Sequence, residues 1–212
     1  MVDVYARNQA TSAEEAAKIV PRAEFRVFGQ GVIATVRAQM YNGKTVLQQA
    51  RRMPAETYFL SAQTNDANVK VRDGLLDIKL KVGQTPEGYE IFQPAGKFKF
   101  PLARAELAAI LSHLKVSMAL EQDSCTFEQF VEMARAHPAL RVVQVEKMRN
   151  GFTIDGVICE YAQVWFNGAM VESACAESEN YAGMKQVVAG LGIDELPNTN
   201  YLRAAKRVVG LL

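Results

Sequence analysis

Polar and apolar residues alternate without a break through Asn68–Arg72 (NVKVR) and again through Leu76–Val82 (LDIKLKV). That period of two is the mark of strands with one face buried. Asp73-Gly74 between them predicts a tight hairpin turn. The stretch Arg22–Arg37, with its core FRVFGQGVIATVRA, is rich in β-branched and aromatic residues and predicts two strands split at Gly29–Gly31. Further strands are predicted at Glu56–Leu60, Tyr89–Gln93, Lys97–Phe100 and Leu140–Arg149, at Gly151–Ile154 with Val157–Trp165, and at Ala169–Ala176. Turns fall at Asn65-Asp66 and Gln84–Gly88.

A helical period replaces this one in places. Leu107, Ile110, Leu111 and Leu114 form a stripe within Leu102–Leu114, and Phe127, Phe130, Val131 and Ala134 form another within Phe127–Ala136. Tyr181–Leu191 reads as a helix ended by Gly192, and Asn198–Val209 as a last helix capped by Asn198 or Thr199. Near the start, Ser12 and Glu15 fit a capping box for a helix over Thr11–Val20, stopped by Pro21. About eight strands joined largely by hairpins, with peripheral helices, predict an α+β fold around a mostly antiparallel sheet. The chain reads as one domain, 1–212, with 1–21 as an N-terminal helical extension.

Composition narrows the function classes. The 212 residues carry 24 Lys and Arg against 23 Asp and Glu, a net charge of +1. Such a balance argues against general nucleic-acid binding, although it does not exclude a local cationic pocket. No apolar run approaches the roughly 18 residues of a membrane helix. MVDVYARNQATSAEEAAK lacks the basic and apolar regions of a signal peptide, so the expected location is cytoplasmic. Cys125, Cys159 and Cys175 show no zinc spacing and read as buried free thiols. His113 and His137 carry no catalytic signature; the latter precedes Pro138 at a helix stop.

The informative feature is where the cations sit. Lys70 and Arg72 share one strand face, and Lys79 and Lys81 share a face of the next strand. Lys97 and Lys99, then Lys147 and Arg149, repeat the spacing, and Arg22, Glu24 and Arg26 alternate on an earlier strand. Asp73 and Asp77 read as lying at the turn and out of phase with Lys70 and Arg72. A solvated sheet face normally mixes signs, because like charges across a strand pair repel. A cationic face spanning several strands fits a multivalent anion, and phosphate oxygens are the common target.

The order RAEFR, ETYFL, NVKVRDG, LDIKLK, VEKMRNGF, VESACAESEN and NYLRAAKRVV resembles the CYTH superfamily, or triphosphate tunnel metalloenzymes, from about Arg22 to the C-terminus. The resemblance implies an eight-stranded antiparallel β-barrel with helices outside. Its polar interior would hold a triphosphate on basic residues and Mg²⁺ or Mn²⁺ on acidic ones. Val69-Lys70-Val71-Arg72 looks like the family's Leu-Arg-Ile-Arg strand and Ile78-Lys79 like its Leu-Thr-Leu-Lys strand. Lys147 and Arg149, with Phe152, look like its Lys-x-Arg-x-x-Tyr strand. The resemblance thus implies phosphate contacts from Arg26, Lys70, Arg72, Lys79, Lys81, Lys147 and Arg149. Metal ligands would come from Glu24 with Glu172 or Glu177.

The acidic half of the pattern is thin. The family's Glu-x-Glu-x-Lys becomes Arg22-x-Glu24-x-Arg26, and its Leu-Asp-x-Val strand becomes Tyr161-Ala162-Gln163-Val164. On the last strand, placing Glu177 in register leaves Ser173 and Cys175 where glutamates are usual; placing Glu172 leaves Ala174 and Ala176. Three readings remain open: a metal-dependent triphosphatase, a non-catalytic binder of a small phosphorylated anion, and a structural barrel whose cations pair with its own acids. A cyclase is disfavoured, because no feature for reading a base is evident.

Overall fold

Three two-residue turns organise the sheet. Asp73-Gly74, Asp155-Gly156 and Asn167-Gly168 all have both residues at positive φ: 50° and 73°, 48° and 81°, 49° and 86°. This is the turn whose twist matches that of paired strands, and it favours Asp or Asn followed by Gly. Each fixes a register, pairing Arg72 with Leu75, Ile154 with Val157 and Phe166 with Ala169.

The computed structural model describes residues 20–40 and 45–211. The helix read at Thr11–Val20, and with it nearly all of the 1–21 extension, lies outside the described residues. The elements are β1 (Arg22–Phe28), α1 (Val32–Met40), β2 (Thr45–Ser61), β3 (Ala67–Arg72), β4 (Leu75–Gln84), β5 (Glu90–Lys99), β6 (Leu102–Ala103), α2 (Arg104–His113), β7 (Ser124–Cys125), α3 (Phe127–Ala136), β8 (Leu140–Ile154), β9 (Val157–Phe166), β10 (Ala169–Ser178), α4 (Met184–Gly190) and α5 (Tyr201–Val209). Eight strands close into a barrel in the order β1-β10-β9-β8-β2-β3-β4-β5, with antiparallel neighbours throughout. This is the architecture that the resemblance implied.

The outer wall is covered in two places. Phe59, Val69, Val71, Leu76 and Ile78 pack beneath α2 and α3, with Leu107, Ile110 and Phe130 among the contacts. Phe25, Val27, Cys159, Ala174 and Ala176 pack beneath α1 and α4, against Val32, Val36, Met184 and Val187. Among the described residues no helix is long and apolar enough to cross a membrane.

Several boundaries differ from expectation for identifiable reasons. The second half of Arg22–Arg37 is not a strand but helix α1. Gly31 turns the chain at φ +80°, and Val32 and Val36, four apart, bury the same helical stripe. The two strands read in Glu90–Lys99 are one, as are the two read in Leu140–Ile154. Leu102 and Ala103 pair with β7, so α2 begins only at Arg104. Tyr181–Gly183 forms a 3-10 turn before α4. Asn198 and Thr199 do not cap α5, because both are bonded to β1. The Arg26 amide donates to the Asn198 side chain at 3.0 Å, and the Thr199 amide donates to the Arg26 carbonyl at 2.7 Å. Asn200 caps instead, accepting from the Arg203 amide.

α5 closes one end of the barrel from within. Leu202 and Ala205 meet Tyr58, Leu60, Val143, Val145, Val164 and Phe166, all in the inward phase of their strands. Its polar side is anchored as well: Asn200 and Arg203 each donate to Glu90 at 2.8 Å, and buried Lys206 donates to the Thr64 carbonyl and to Asn65 at 2.8 Å. Leu202→Ala should therefore lower unfolding stability by about 2–5 kcal/mol, the usual range for emptying a buried leucine site. Urea denaturation followed by circular dichroism would measure this.

Candidate functional site

Cross-strand partners share a face, so the registers identify the inner wall. Lys147 and Arg149 stand inward on β8, continuing the line of Val143 and Val145. Glu160 and Cys175 lie beside Arg26 in one row across β9, β10 and β1. Lys70 pairs with Asp77 across the β3–β4 hairpin. Asp77 is therefore in phase with Lys70, contrary to expectation, because the two-residue turn sets Arg72 opposite Leu75.

Two buried carboxylates collect most of these cations. Glu56 of β2, 1% exposed, accepts from Lys70 at 2.8 Å and from Lys147, and lies 3.7 Å from Arg72. Arg72 is shared with Asp77 at 3.6 Å. Lys147 also donates to the Tyr58 hydroxyl at 3.1 Å. Glu160 of β9 pairs with Arg149 and with Arg26 at 3.3 Å. Arg26 further donates to Glu24 at 2.8 Å, to Ser173 at 3.1 Å and to the Cys175 sulfur at 2.9 Å. The ring of Tyr201, at the start of α5, faces both Arg26 and Lys147, at 4.5 Å and 4.4 Å. These cation–π contacts tie the plug to the charged zone. Away from α5, Arg22, Arg72 and Arg149 keep side-chain exposures of 35%, 25% and 27%.

The charge balance shows in the protonation equilibria. Burial opposes ionisation of Glu56, but Lys147 and Lys70 outweigh it and hold the carboxyl well below the usual range. Burial likewise opposes ionisation of Glu160, and Arg149 and Arg26 overcome it. Lys147 moves the other way. Burial lowers its pKa most, Glu56 resists, Lys70 and Arg149 reinforce the fall, and it reaches about 7. Burial pushes the Cys175 thiol up, which leaves it a neutral partner.

The residues singled out from sequence divide into groups. Arg26, Lys70, Arg72, Lys147 and Arg149 converge on the Glu56 and Glu160 clusters. Lys81 binds Glu90 at 3.0 Å, and Glu90 also holds Arg203 of α5, so Lys81 serves the plugged end. Lys79 is exposed beside a register irregularity between β4 and β5 and joins neither cluster. Glu177 faces inward opposite Glu24 but is held by Arg22 at 3.2 Å. Glu172 is one residue out of phase and accepts from the Ile33 amide at 3.0 Å, where it stabilises the start of α1. The last strand therefore places Ser173, Cys175 and Glu177 on the inner wall.

Glu24 and Glu177 are each engaged by an arginine, Glu172 lies on the other side of the wall, and no group of three His, Cys, Asp or Glu able to hold a metal is found among the described residues. Glu56 and Glu160 were not among the expected site residues. Glu160 had a signal, as a lone acid in the inward phase of the otherwise uncharged strand VICEYAQVWF. A cleft of about 470 Å³ lies outside the barrel, between the β3–β4 turn and the start of α3. On the inner wall, Gln49, Arg51, Arg149, Gly151 and Glu160 surround a hollow of only about 10 Å³.

No family model matches the chain, and no curated protein does. Solved structures do. A conserved hypothetical protein from Pyrococcus furiosus aligns at 13% identity with a TM-score of 0.49, over 85% of this chain and 98% of that one. The PH1012 protein from Pyrococcus horikoshii OT3 aligns at 13% with a TM-score of 0.48, over 85% and 97%. A candidate adenylyl cyclase from Hippeastrum, described as having a dominant triphosphatase activity, aligns at 11% with a TM-score of 0.48, over 92% and 97%.

The lowered Lys147 pKa gives a signed pH dependence. Between about 7 and the unfolded lysine value near 10.4, the unfolded chain binds the proton that the folded chain has released. Stability should therefore rise with pH from 7 to 8.5, by at most about 1.4 kcal/mol per unit from this group. Lys147→Met should flatten the profile, as read from denaturant midpoints across that window. A variant with an unchanged slope would contradict the assignment.

Proposed function

We propose that this chain is a divergent CYTH-type barrel that binds a triphosphate-like anion within its charged interior and turns it over weakly or not at all. The observation that carries the proposal is Glu56, one carboxylate shared by Lys70, Lys147 and Arg72. With Asp77 beside Arg72, three cations meet two acids and form a site suited to more negative charge than those acids supply. Lys70 with Arg72, and Lys147 with Arg149, are each two residues apart on a strand. Successive cations thus stand roughly 6–7 Å apart along the wall, which suits a chain of phosphates approached from the side of Arg72 and Arg149.

Weak turnover follows from the acids. Phosphoryl transfer relies on positioning and on neutralisation of charge by metals and cations. A hard divalent ion is usually held by one or two carboxylates besides phosphates and water. Glu24 and Glu177 are bound to arginines instead, so anion affinity rests on the basic residues. A second reading, a purely structural barrel, is favoured by the pairing itself, because Glu56 and Glu160 already neutralise much of the interior.

Thermal unfolding with and without triphosphate separates the readings. Binding at 100 times Kd would stabilise the fold by about 2.7 kcal/mol, and the shift should be similar in EDTA and in Mn²⁺. Arg72→Ala should weaken binding by a factor corresponding to roughly 1.5–3 kcal/mol, the worth of a hydrogen bond to a charged group. Glu24→Ala should leave binding nearly unchanged. No shift at millimolar triphosphate would establish the structural reading. Strong Mn²⁺-dependent hydrolysis, lost in Glu24→Ala with binding retained, would establish an enzyme.

A further inference from the structure

Glu56 reaches the lysines through an irregularity in its strand. Met53 pairs with Lys147, but Glu56, three residues on, pairs with Val145, only two residues back. Met53 shares the inward face of Lys147. Regular alternation would next turn Ala55 inward and Glu56 toward the outer wall. The extra residue reverses this and aims the carboxylate at Lys70 and Lys147; re-aiming a side chain is a recurring use of such bulges. The carboxylate is almost wholly removed from solvent, and its partners take both oxygens: Lys70 and Arg72 on Oε1, Lys147 on Oε2. The hollow of about 10 Å³ on the inner wall is lined by Arg149 and Glu160 and does not reach Glu56. A phosphate group that reaches these cations therefore competes with the Glu56 carboxylate for them.

We propose that Glu56 is a specificity-determining residue, an internal counter-anion that admits only ligands with several adjacent negative charges. A small anion brings little more to Lys70, Lys147 and Arg72 than the carboxylate already there. A triphosphate also engages Arg149 and Arg26, and so out-competes it. This rests on the anion-binding reading above. The discrimination between triphosphate and small anions then comes from the protein's own acid rather than from the cations.

The test is titration calorimetry of wild type and Glu56→Gln in EDTA, with triphosphate and with sulfate, using Glu146→Gln as a control. Glu146 is an exposed acid paired with Arg52 on the outer wall. Glu56→Gln should bind triphosphate at least about tenfold more tightly, as expected for freeing charge-assisted contacts. It should gain still more affinity for sulfate, so that the triphosphate-to-sulfate preference narrows, while Glu146→Gln changes neither. Unchanged or weaker triphosphate binding in Glu56→Gln, with wild type binding and Arg72→Ala not, would overturn this inference and leave the anion-binding reading intact. No binding by wild type or variant would overturn both. If Glu56→Gln does not fold, Glu56→Asp keeps the charge on a shorter stem that withdraws from the lysines. Tighter triphosphate binding by that variant supports the proposal, and unaltered binding refutes it.

Discussion

An ionised group inside a barrel of this size must find its counter-charge within the wall. Moving a lone carboxylate or ammonium out of water costs far more than a domain's net stability, so such groups neutralise or pair. Here they pair, and the pairs dictate how the interior is filled. Eight strands enclose a space just wide enough for side chains to occupy. Glu56, Glu160 and their cations occupy it, with Ser173, Ala162 and Gly151 as the small residues facing them. Removing one member of a buried pair strands the other, which typically costs 3–5 kcal/mol, whereas replacing a whole pair with apolar groups is often neutral. The charged interior is thus poor evidence of a drive toward stability.

The rest of the structure serves that arrangement. The two-residue turns lock the phase of the cations on β3 and β8 and of Glu160 on β9, because a slip of one residue would send each to the opposite face. Helices α1 to α4 cover the apolar outer wall and leave the inner wall free to be polar. Tyr201 joins the two kinds of interior, with its ring facing Arg26 and Lys147 and meeting Phe28 and Phe166 edge-to-face.

Much of this was legible in the sequence, and the failures have physical causes. Alternation placed Lys70, Arg72, Lys147 and Arg149 correctly, since a period of two is a backbone property that tertiary packing does not alter. It could not place Glu56, because the bulge before it shifts the count and nothing in ARRMPAETYF announces a bulge except Pro54. Asp77 falls in phase with Lys70 only when the count is carried across the Asp73-Gly74 turn, which sets Arg72 opposite Leu75. Helix α1 was mistaken for a strand because Val32, Ile33, Thr35 and Val36 are β-branched, and packing of Val32 and Val36 under the outer wall outweighed that preference. Glu172 and Glu177 could not be ranked without the register of β10, on which a single residue separates a helix cap from an inner-wall acid.

With α5 seated in one end, the described residues close the barrel on that side. An anion bound as proposed would enter and leave over the opposite rim. A long chain of phosphates would then present its terminus rather than its middle. Any group attached to the other end of that chain would stay at the rim, where the strand ends and loops, rather than the inner wall, would have to recognise it. In a barrel closed at one end, the identity of a bound anion and the identity of what it is attached to would be read by different parts of the molecule.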